Sequence, residues 1–192
     1  MILNKNQQIY FYLFGIFSLI ISSIMGENSS GGSKLDNEIT RQFIDNFLIS
    51  FDNGIKYFIN SGQVQSPIFY LLASIIEKTL GLNFLKYSYL FISSLIPVIF
   101  YMSLKKKFTG INKNILFLVS LIIFLSPYFR SSAVWVTTDN FAIIFFILSV
   151  NKYLDLEKKN TNQNLILCIF YISIAVYIRQ YYIIFFLLYF LK

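Results

Sequence analysis

The sequence has no histidine, a single cysteine and few charged residues. The lack of histidine in 192 residues excludes a histidine general base, a serine–histidine pair and any histidine-ligated metal site. The one cysteine, Cys168, cannot form an intrachain disulfide, and its position in an apolar run predicts a small buried or lipid-facing side chain. Charged residues make up 13% of the chain, against about 25% in a typical soluble domain.

Apolar and aromatic residues take the place of the missing charges. The chain is 56% hydrophobic and 19% aromatic, with 22 Phe and 14 Tyr. This is more apolar surface than one water-soluble core can bury, so the composition predicts an integral membrane protein in a lipid bilayer. The net charge of +7 arises from basic residues between the apolar runs, and no nucleic-acid-binding motif accompanies them.

The apolar runs predict an all-α, polytopic transmembrane helix bundle formed by a single domain over residues 1–192. Residues 9–25 read as a retained first transmembrane helix with the N-terminus inside. Residues 26–66 form an outer loop, and residues 67–191 hold further membrane helices. The last apolar run, 180–191, stops almost at the end of the chain, so we expect the domain to be incomplete at its C-terminus.

The 26–66 loop combines a flexible start with an amphipathic helix. It begins GENSSGGSK, a linker composition, and then carries apolar residues at spacings of three and four. This pattern predicts a helix lying in the membrane interface, with a break at Asn53-Gly54. The apolar positions are Phe43, Ile44, Phe47, Leu48, Phe51, Ile55 and Phe58.

The orientation of the chain depends on whether residues 67–80 cross the membrane. If this segment is re-entrant or interfacial, the lysines of 105–113 and of 152–159 all lie inside, as the positive-inside rule favours. The 26–66 loop, the 126–140 turn and the Arg179-Gln180 junction then share the outer face.

The first polar stretch on that face, GGSKLDNEIT, contains two acidic residues. Asp36 or Glu38 would suit a general base for an acceptor hydroxyl, or an electrostatic partner for a developing charge. Equally, Asp36 or Asn37 would cap the amphipathic helix, with Glu38 in its first turn. Together with Asp139, these acids could bind a hard divalent cation, although no cofactor is firmly implied.

The other two stretches hold charges next to apolar runs. Arg130 and Asp139 belong at the interface or against a polar cavity, since charge in the membrane is costly. Alternatively, Asp139 or Thr138 caps a helix and Arg130 reaches toward the headgroups. Arg179 and Gln180 fit a tight turn, or a site at which the guanidinium binds a phosphate of a lipid carrier.

The order of these stretches resembles the front half of the GT-C class of membrane glycosyltransferases. That class has an acidic motif near the start of the first outer loop, followed by a segment of the type Pro-Pro-x-x-Tyr. Here SPIFY matches the segment, with Ser66 at the first position and Pro67 and Tyr70 retained. The split acidic motif leaves open whether Asp36 or Asn37 occupies the position of the family's catalytic acid.

The closest sub-pattern is that of the dolichyl-phosphate-glucose-dependent glucosyltransferases. In these, a Pro precedes a Tyr-Thr-Asp by twelve positions, and an Arg-Gln follows in a later helix. Pro127, the Thr138-Asp139 pair and the Arg179-Gln180 pair keep that order and spacing.

The resemblance implies a glycosyltransferase that moves a sugar from a polyprenyl- or dolichyl-phosphate donor to an unidentified acceptor. By this resemblance, Asp36 or Glu38 acts as base and Arg179 with Gln180 holds the donor phosphate. Asp139, Arg130 and Tyr70 would line the same cavity. The expected location is the plasma membrane, an inner membrane or the endoplasmic reticulum, with the active face outside the cytoplasm. The alternative is a non-catalytic multi-pass protein: a degenerate paralogue, a transporter fragment or a partner subunit.

Overall fold

The computed structural model describes residues 3–29, 31–63 and 65–190, and that part of the chain is helical and contains no strand. The predicted all-α class is therefore confirmed there. Its eleven α-helices are α1 Lys5–Met25, α2 Ser33–Ile49, α3 Phe51–Asn60, α4 Ile68–Leu80, α5 Leu82–Ser94, α6 Ile96–Lys107, α7 Lys113–Leu121, α8 Pro127–Trp135, α9 Thr138–Lys158, α10 Asn162–Ile178 and α11 Ile183–Phe190. Residue 191, the end of the last predicted run, lies outside the described residues.

Two helices in the described part of the chain are long and apolar enough to cross a membrane. They are α1 and the continuous pair α5–α6, which spans Leu82–Lys107. A third candidate is the pair Lys113–Leu125 and Pro127–Trp135, which bends by 61° at its break. Ser126 and Pro127 explain the bend, because Pro cannot donate to the preceding turn and Ser126 caps the new helix.

The first predicted membrane run corresponds to α1. Asn4 and Gln7 form a capping box at its start, and Gly26 ends it in a left-handed conformation with φ 63°. Most of its large apolar side chains face away from the protein, as in a helix surrounded by lipid.

The amphipathic part of the 26–66 loop forms α2 and α3, but the predicted break at Asn53-Gly54 is wrong. The helix is interrupted at Ser50, whose extended backbone ends α2 and whose hydroxyl accepts from the Asn53 amide at the start of α3. Gly54 lies inside α3, where a Cβ would come within 2.2 Å of the Phe47 ring. The glycine thus permits close packing of α3 on α2.

Residues 67–80, whose crossing the sequence left open, form α4, which is not among the candidate spans. Its start is attached to the end of α10, because the Ser66 amide donates to the Tyr177 carbonyl at 3.0 Å. Its last turn is attached to α2, where Arg41 donates to Glu77 at 2.8 Å. The Glu77 carboxylate contributes most to raising the pKa of the Arg41 guanidinium.

The helices give the molecule two polar ends. We call one the basic end, where Lys106 of α6 pairs with Asp155 of α9 at 2.7 Å and Gln8 of α1 donates to Asn114 of α7 at 2.7 Å. We call the other the site end, which contains the start of α2, the start of α9 and the junction after α10.

Candidate functional site

The centre of the site end is an ion pair between Asp139 and Arg179, which are far apart in the sequence. Asp139 lies in the first turn of α9, and Arg179 directly follows α10. Because α9 and α10 pack against each other over their length in opposite directions, the start of one meets the end of the other. The Arg179 Nη2 donates to Asp139 Oδ2 at 2.8 Å.

The Asp139 carboxylate is buried, with 2% of the residue exposed, yet it is well supplied with donors. The Thr137 hydroxyl donates to Oδ2 at 3.1 Å, and the Tyr181 hydroxyl donates to Oδ1 at 3.4 Å. The Tyr128 hydroxyl is near enough to interact electrostatically with this carboxylate. Burial and the neighbouring negative charge raise the pKa of Tyr181, so its phenol stays protonated and remains a donor.

Arg179 is bound to Asp139 but keeps an unused donor. Its Nε is buried and has no hydrogen-bond partner among the described residues. Although burial acts to lower the pKa of the guanidinium, the charge and hydrogen bond of Asp139 outweigh that effect and raise it. The side chain therefore remains a cation, with 18% of its surface exposed, and its pairing with Asp139 leaves binding capacity available.

A buried polar layer, not predicted from the sequence, lies directly beneath the pair. Asn140 is fully buried and donates to the Phe129 carbonyl at 3.0 Å and to the Ser93 hydroxyl at 3.2 Å, while its own Oδ1 lacks a described partner. Tyr89 donates to the Thr137 carbonyl. The available signal was the unbroken polar run TTDN at the start of an otherwise apolar helix.

Thr137, and not Thr138 or Asp139, occupies the N-cap position of α9, and no side-chain cap bond is formed there. The cap predicted for Asp139 or Thr138 is therefore wrong. Asp139 is drawn sideways toward Arg179 because the Coulomb attraction of a buried cation exceeds that of the helix terminus.

The structure separates the two acids of the first polar stretch. The helix begins at Ser33, so the N-cap predicted for Asp36 or Asn37 is wrong, and Asp36 lies in the first turn. Residues two apart on a helix point to different sides, so Asp36 and Glu38 cannot both face one reacting atom. Glu38 is exposed and forms no ion pair within the described residues.

Tyr70 connects Asp36 with the central pair. It is buried, stacks on Phe43 with ring centroids 4.7 Å apart, and donates to Gln65 at 3.2 Å. Burial raises the pKa of its phenol, and the charges of Asp36 and Asp139 raise it further, while Arg179 acts in the opposite direction. Both carboxylates and the guanidinium therefore act on the same phenol.

Arg130 belongs to a different cluster. Its Nε donates to both oxygens of Glu27 at 3.0 Å, and its Nη1 donates to the Ser18 hydroxyl at 2.6 Å and to the Phe124 carbonyl at 3.2 Å. Ser22 accepts from Nη2. This guanidinium thus ties the end of α1 to α8, and its donors are directed into the protein instead of toward headgroups.

Two cavities adjoin the Arg179 junction. Gln180, in a short 3-10 turn, lines an open cleft of about 650 Å³ together with Ser66, Pro67 and Tyr177. A second cavity of about 430 Å³ runs between α4, α9 and α10 and has almost entirely apolar walls, including Leu72, Phe141, Phe145 and Phe170. Tyr177 lines both cavities, so the cleft and the apolar groove adjoin at this side chain.

Within the described part of the chain no three acidic or cysteine side chains come together as a metal site. Asp36, Glu38 and Asp139 thus do not form the hard-cation site considered from the sequence. Cys168 is buried between helices, which agrees with its predicted packing role.

In the part of the chain that the structure describes, the fold is all-helical, and two or three of its helices could cross a membrane. Comparison with protein-family models, curated proteins and solved structures finds no match to this chain.

Proposed function

We propose that the protein is a multi-pass membrane glycosyltransferase of GT-C type, or the N-terminal part of one. It transfers a sugar from a polyprenyl- or dolichyl-phosphate donor to an acceptor on the extracytoplasmic or luminal face. The observation that carries the proposal is the Arg179–Asp139 pair, a buried ion pair whose guanidinium is partly exposed and whose neighbours Gln180 and Ile178 line a cleft and an adjoining apolar groove.

The two cavities match the two parts of a lipid-phosphate sugar. The apolar groove suits the polyprenyl chain, since its walls between α4, α9 and α10 are almost entirely aromatic and aliphatic. The cleft beside Gln180 suits the phosphate and sugar, which need hydrogen-bond donors. A guanidinium is well adapted to phosphate because its donors match the oxygens in a planar fork.

The chemistry requires one leaving group and one base. The acceptor oxygen forms a bond to the anomeric carbon while the bond from that carbon to the phosphate oxygen breaks, and the lipid phosphate leaves with the electron pair. Arg179 stabilises the negative charge that grows on the phosphate. Asp36 takes the proton of the acceptor hydroxyl, for which its exposed position and its charge coupling to Tyr70 are suited.

The proposed topology has α1, α5–α6, α7–α8, α9 and α10 as crossing segments, with α2, α3 and α4 on the outer side. The attachment of both ends of α4 at the site end supports an interfacial α4. The basic end is then cytoplasmic, in accordance with the positive-inside rule. Thr109→Cys and Asp52→Cys, each in a Cys168→Ser background, should label from opposite sides of the membrane. Equal labelling of both from one side would contradict this topology.

A transfer assay tests the proposed reaction. Purified protein receives polyprenyl phosphates carrying radiolabelled glucose, mannose or galactose, with cell-envelope extract as acceptor. Asp36→Asn should lower transfer by about a hundredfold or more, the range expected for a lost general base. Glu38→Gln is the matched control because it removes the neighbouring exposed charge, and it should keep near wild-type transfer. Full activity in a double Asp36→Asn/Glu38→Gln variant would refute both acids as the base.

The second candidate, a non-catalytic membrane protein, is favoured by the separation of Asp36 and Glu38 on α2. It predicts that unsubstituted polyprenyl phosphate binds in an Arg179-dependent manner while no sugar is transferred from any donor. Binding and transfer measured on the same preparation distinguish the two functions.

A further inference from the structure

The basic end carries a groove that the proposed reaction does not use. It lies between α1, α6 and α7, has a volume of about 210 Å³, and is lined by apolar side chains including Ile9, Val98, Phe117 and Leu121. Its polar lining residues Gln8 and Tyr12 are already bonded, to Asn114 and to the Ser94 carbonyl. The walls therefore suit a hydrocarbon chain more than a polar solute.

Positive charge is concentrated at this groove. Lys5 lines it, and Lys105 lies 5.2 Å from the centroid of the Tyr101 ring, which also lines it. No Asp or Glu occurs in α1 or anywhere between Glu77 and Asp139, so none of the three helices supplies a counter-charge.

Three other lysines of this end are paired with acids of α9. Lys106 and Lys152 pair with Asp155, and Lys107 pairs with Glu157, all on α9. Among the described ion pairs none involves Lys5 or Lys105. The two lysines at the groove, like Lys158 and Lys159 of the same end, therefore have no described acid partner.

We infer that this groove binds one anionic phospholipid, with an acyl chain against the apolar walls and the phosphate between Lys5 and Lys105. Basic pockets between membrane helices are a known form of site for anionic headgroups. The long lysine side chains can reach the headgroup level while their methylenes cover apolar surface. The site requires only that the chain lies in a membrane, and it is independent of the proposed sugar transfer.

Lipid retention tests the site. The full chain is reconstituted in bilayers of equal parts dioleoyl phosphatidylglycerol and dioleoyl phosphatidylcholine, extracted in a mild detergent, and analysed by native mass spectrometry. We expect one phosphatidylglycerol per chain to be retained in preference to phosphatidylcholine. Lys5→Gln/Lys105→Gln should reduce that preference about tenfold, since each lysine near a membrane surface contributes a several-fold attraction to anionic lipid.

Lys158→Gln/Lys159→Gln is the matched control, because it removes two charges from the same end without touching the groove. An equal loss in both double variants would mean unspecific surface attraction and would overturn the site, as would wild-type protein that shows no lipid preference. Val98→Phe fills the groove without changing charge and should also reduce retention. Wild-type retention by a folded Val98→Phe variant would place the lipid elsewhere and refute the groove; if that variant does not fold, the two lysine variants remain decisive.

Discussion

Arg130 and Arg179 each pair with a carboxylate at the site end, but their surroundings differ. Arg130 donates to Glu27, to two serine hydroxyls and to a backbone carbonyl, with every nitrogen engaged. Arg179 donates to Asp139 and leaves a buried Nε without a described partner, while its neighbours Gln180 and Ile178 line one cavity each. A saturated guanidinium holds helices together, whereas an unsaturated one next to a cleft is available to a ligand.

The largest effect is expected from breaking the Arg179–Asp139 pair on one side. Arg179→Met leaves a carboxylate that is 3% exposed without its cation, and should lower the free energy of unfolding by about 3–5 kcal/mol. The double variant Arg179→Met/Asp139→Leu should recover at least half of that loss, because it removes both buried charges. Unfolding in detergent by a denaturant series measures both values.

Ligand binding should not recover together with stability in the Arg179→Met/Asp139→Leu variant. Polyprenyl phosphate binding should be lost in the double variant even though its fold has recovered, since no guanidinium remains. Retained binding would show that the phosphate contacts another group, and the role assigned to Arg179 would then fail.

The packing around the Arg130 cluster provides the next largest effect. Gly15 of α1 lies against Phe124, and an added Cβ would come within 2.3 Å of the Phe124 ring. Because that ring is buried and cannot easily move, Gly15→Ala should lower the free energy of unfolding by about 1–3 kcal/mol, despite the better helix propensity of alanine. Gly110→Ala is the control, as no atom lies within 4 Å of its Cβ position. An unchanged melting midpoint for Gly15→Ala would contradict this packing.

A smaller effect is expected from Glu27→Gln, which keeps the shape of the Arg130 cluster but removes its charge. The free energy of unfolding should fall by about 1–2 kcal/mol, because a neutral acceptor replaces a charged one and hydrogen bonds to charged groups contribute about 1.5–3 kcal/mol. Trp135 provides a local probe, because it is the only tryptophan and its indole donates to the Glu27 carbonyl at 2.8 Å. The Trp135 emission should shift to longer wavelength, because the segment around Glu27 is held less tightly and the indole becomes more exposed to water. The affinity for polyprenyl phosphate should stay unchanged, because Arg179 and not Arg130 is proposed to bind the phosphate. A large loss of affinity would show that the Arg130 cluster also contributes to binding.

The smallest and most local effect is the loss of stability expected when Glu27 is protonated in acid. The hydrogen bond from Arg130 lowers the pKa of this carboxyl from 4.5 to about 2. Because the folded-state pKa is the lower one, the ion pair contributes its full stability above about pH 4.5 and loses it as the pH falls toward 2. The stability reported by Trp135 emission should decline in that window for the wild type, and Glu27→Gln should remove this component. A decline of the same size in Glu27→Gln would assign it to another group.

Composition and periodicity predicted much of the local structure. The first apolar run became α1, and the apolar spacing in the outer loop became helical. The positions of helix breaks and caps were harder to predict. The break was expected at Asn53-Gly54 but occurs at Ser50, and Gly54 instead lies inside α3, where it allows close contact with Phe47. A glycine indicates either flexibility or close approach, and only the neighbouring helix decides between them.

In the candidate site, too, some contacts were predicted from the sequence and others were not. Asp139 and Arg179 were predicted to share one face, and they meet; Tyr70 and Asp36 interact with them electrostatically. Arg130 was expected in the same cavity and instead binds Glu27, a residue that received no role from its sequence context. The buried Asn140 was not predicted, since an amide in an apolar run gives no sign of what it will contact.

The sequence by itself determined that the described chain is helical and that some of its helices are long and apolar enough to cross a membrane. Apolar content follows from composition, and helical period depends on neighbours a few residues apart. Only the tertiary structure decided which arginine each carboxylate serves. Residues 139 and 179 meet because α9 and α10 run antiparallel, and 27 meets 130 because the bend at Pro127 turns α8 back to the end of α1. Ion pairs form over a few ångströms in space, and these partners lie 40 and 103 positions apart along the chain.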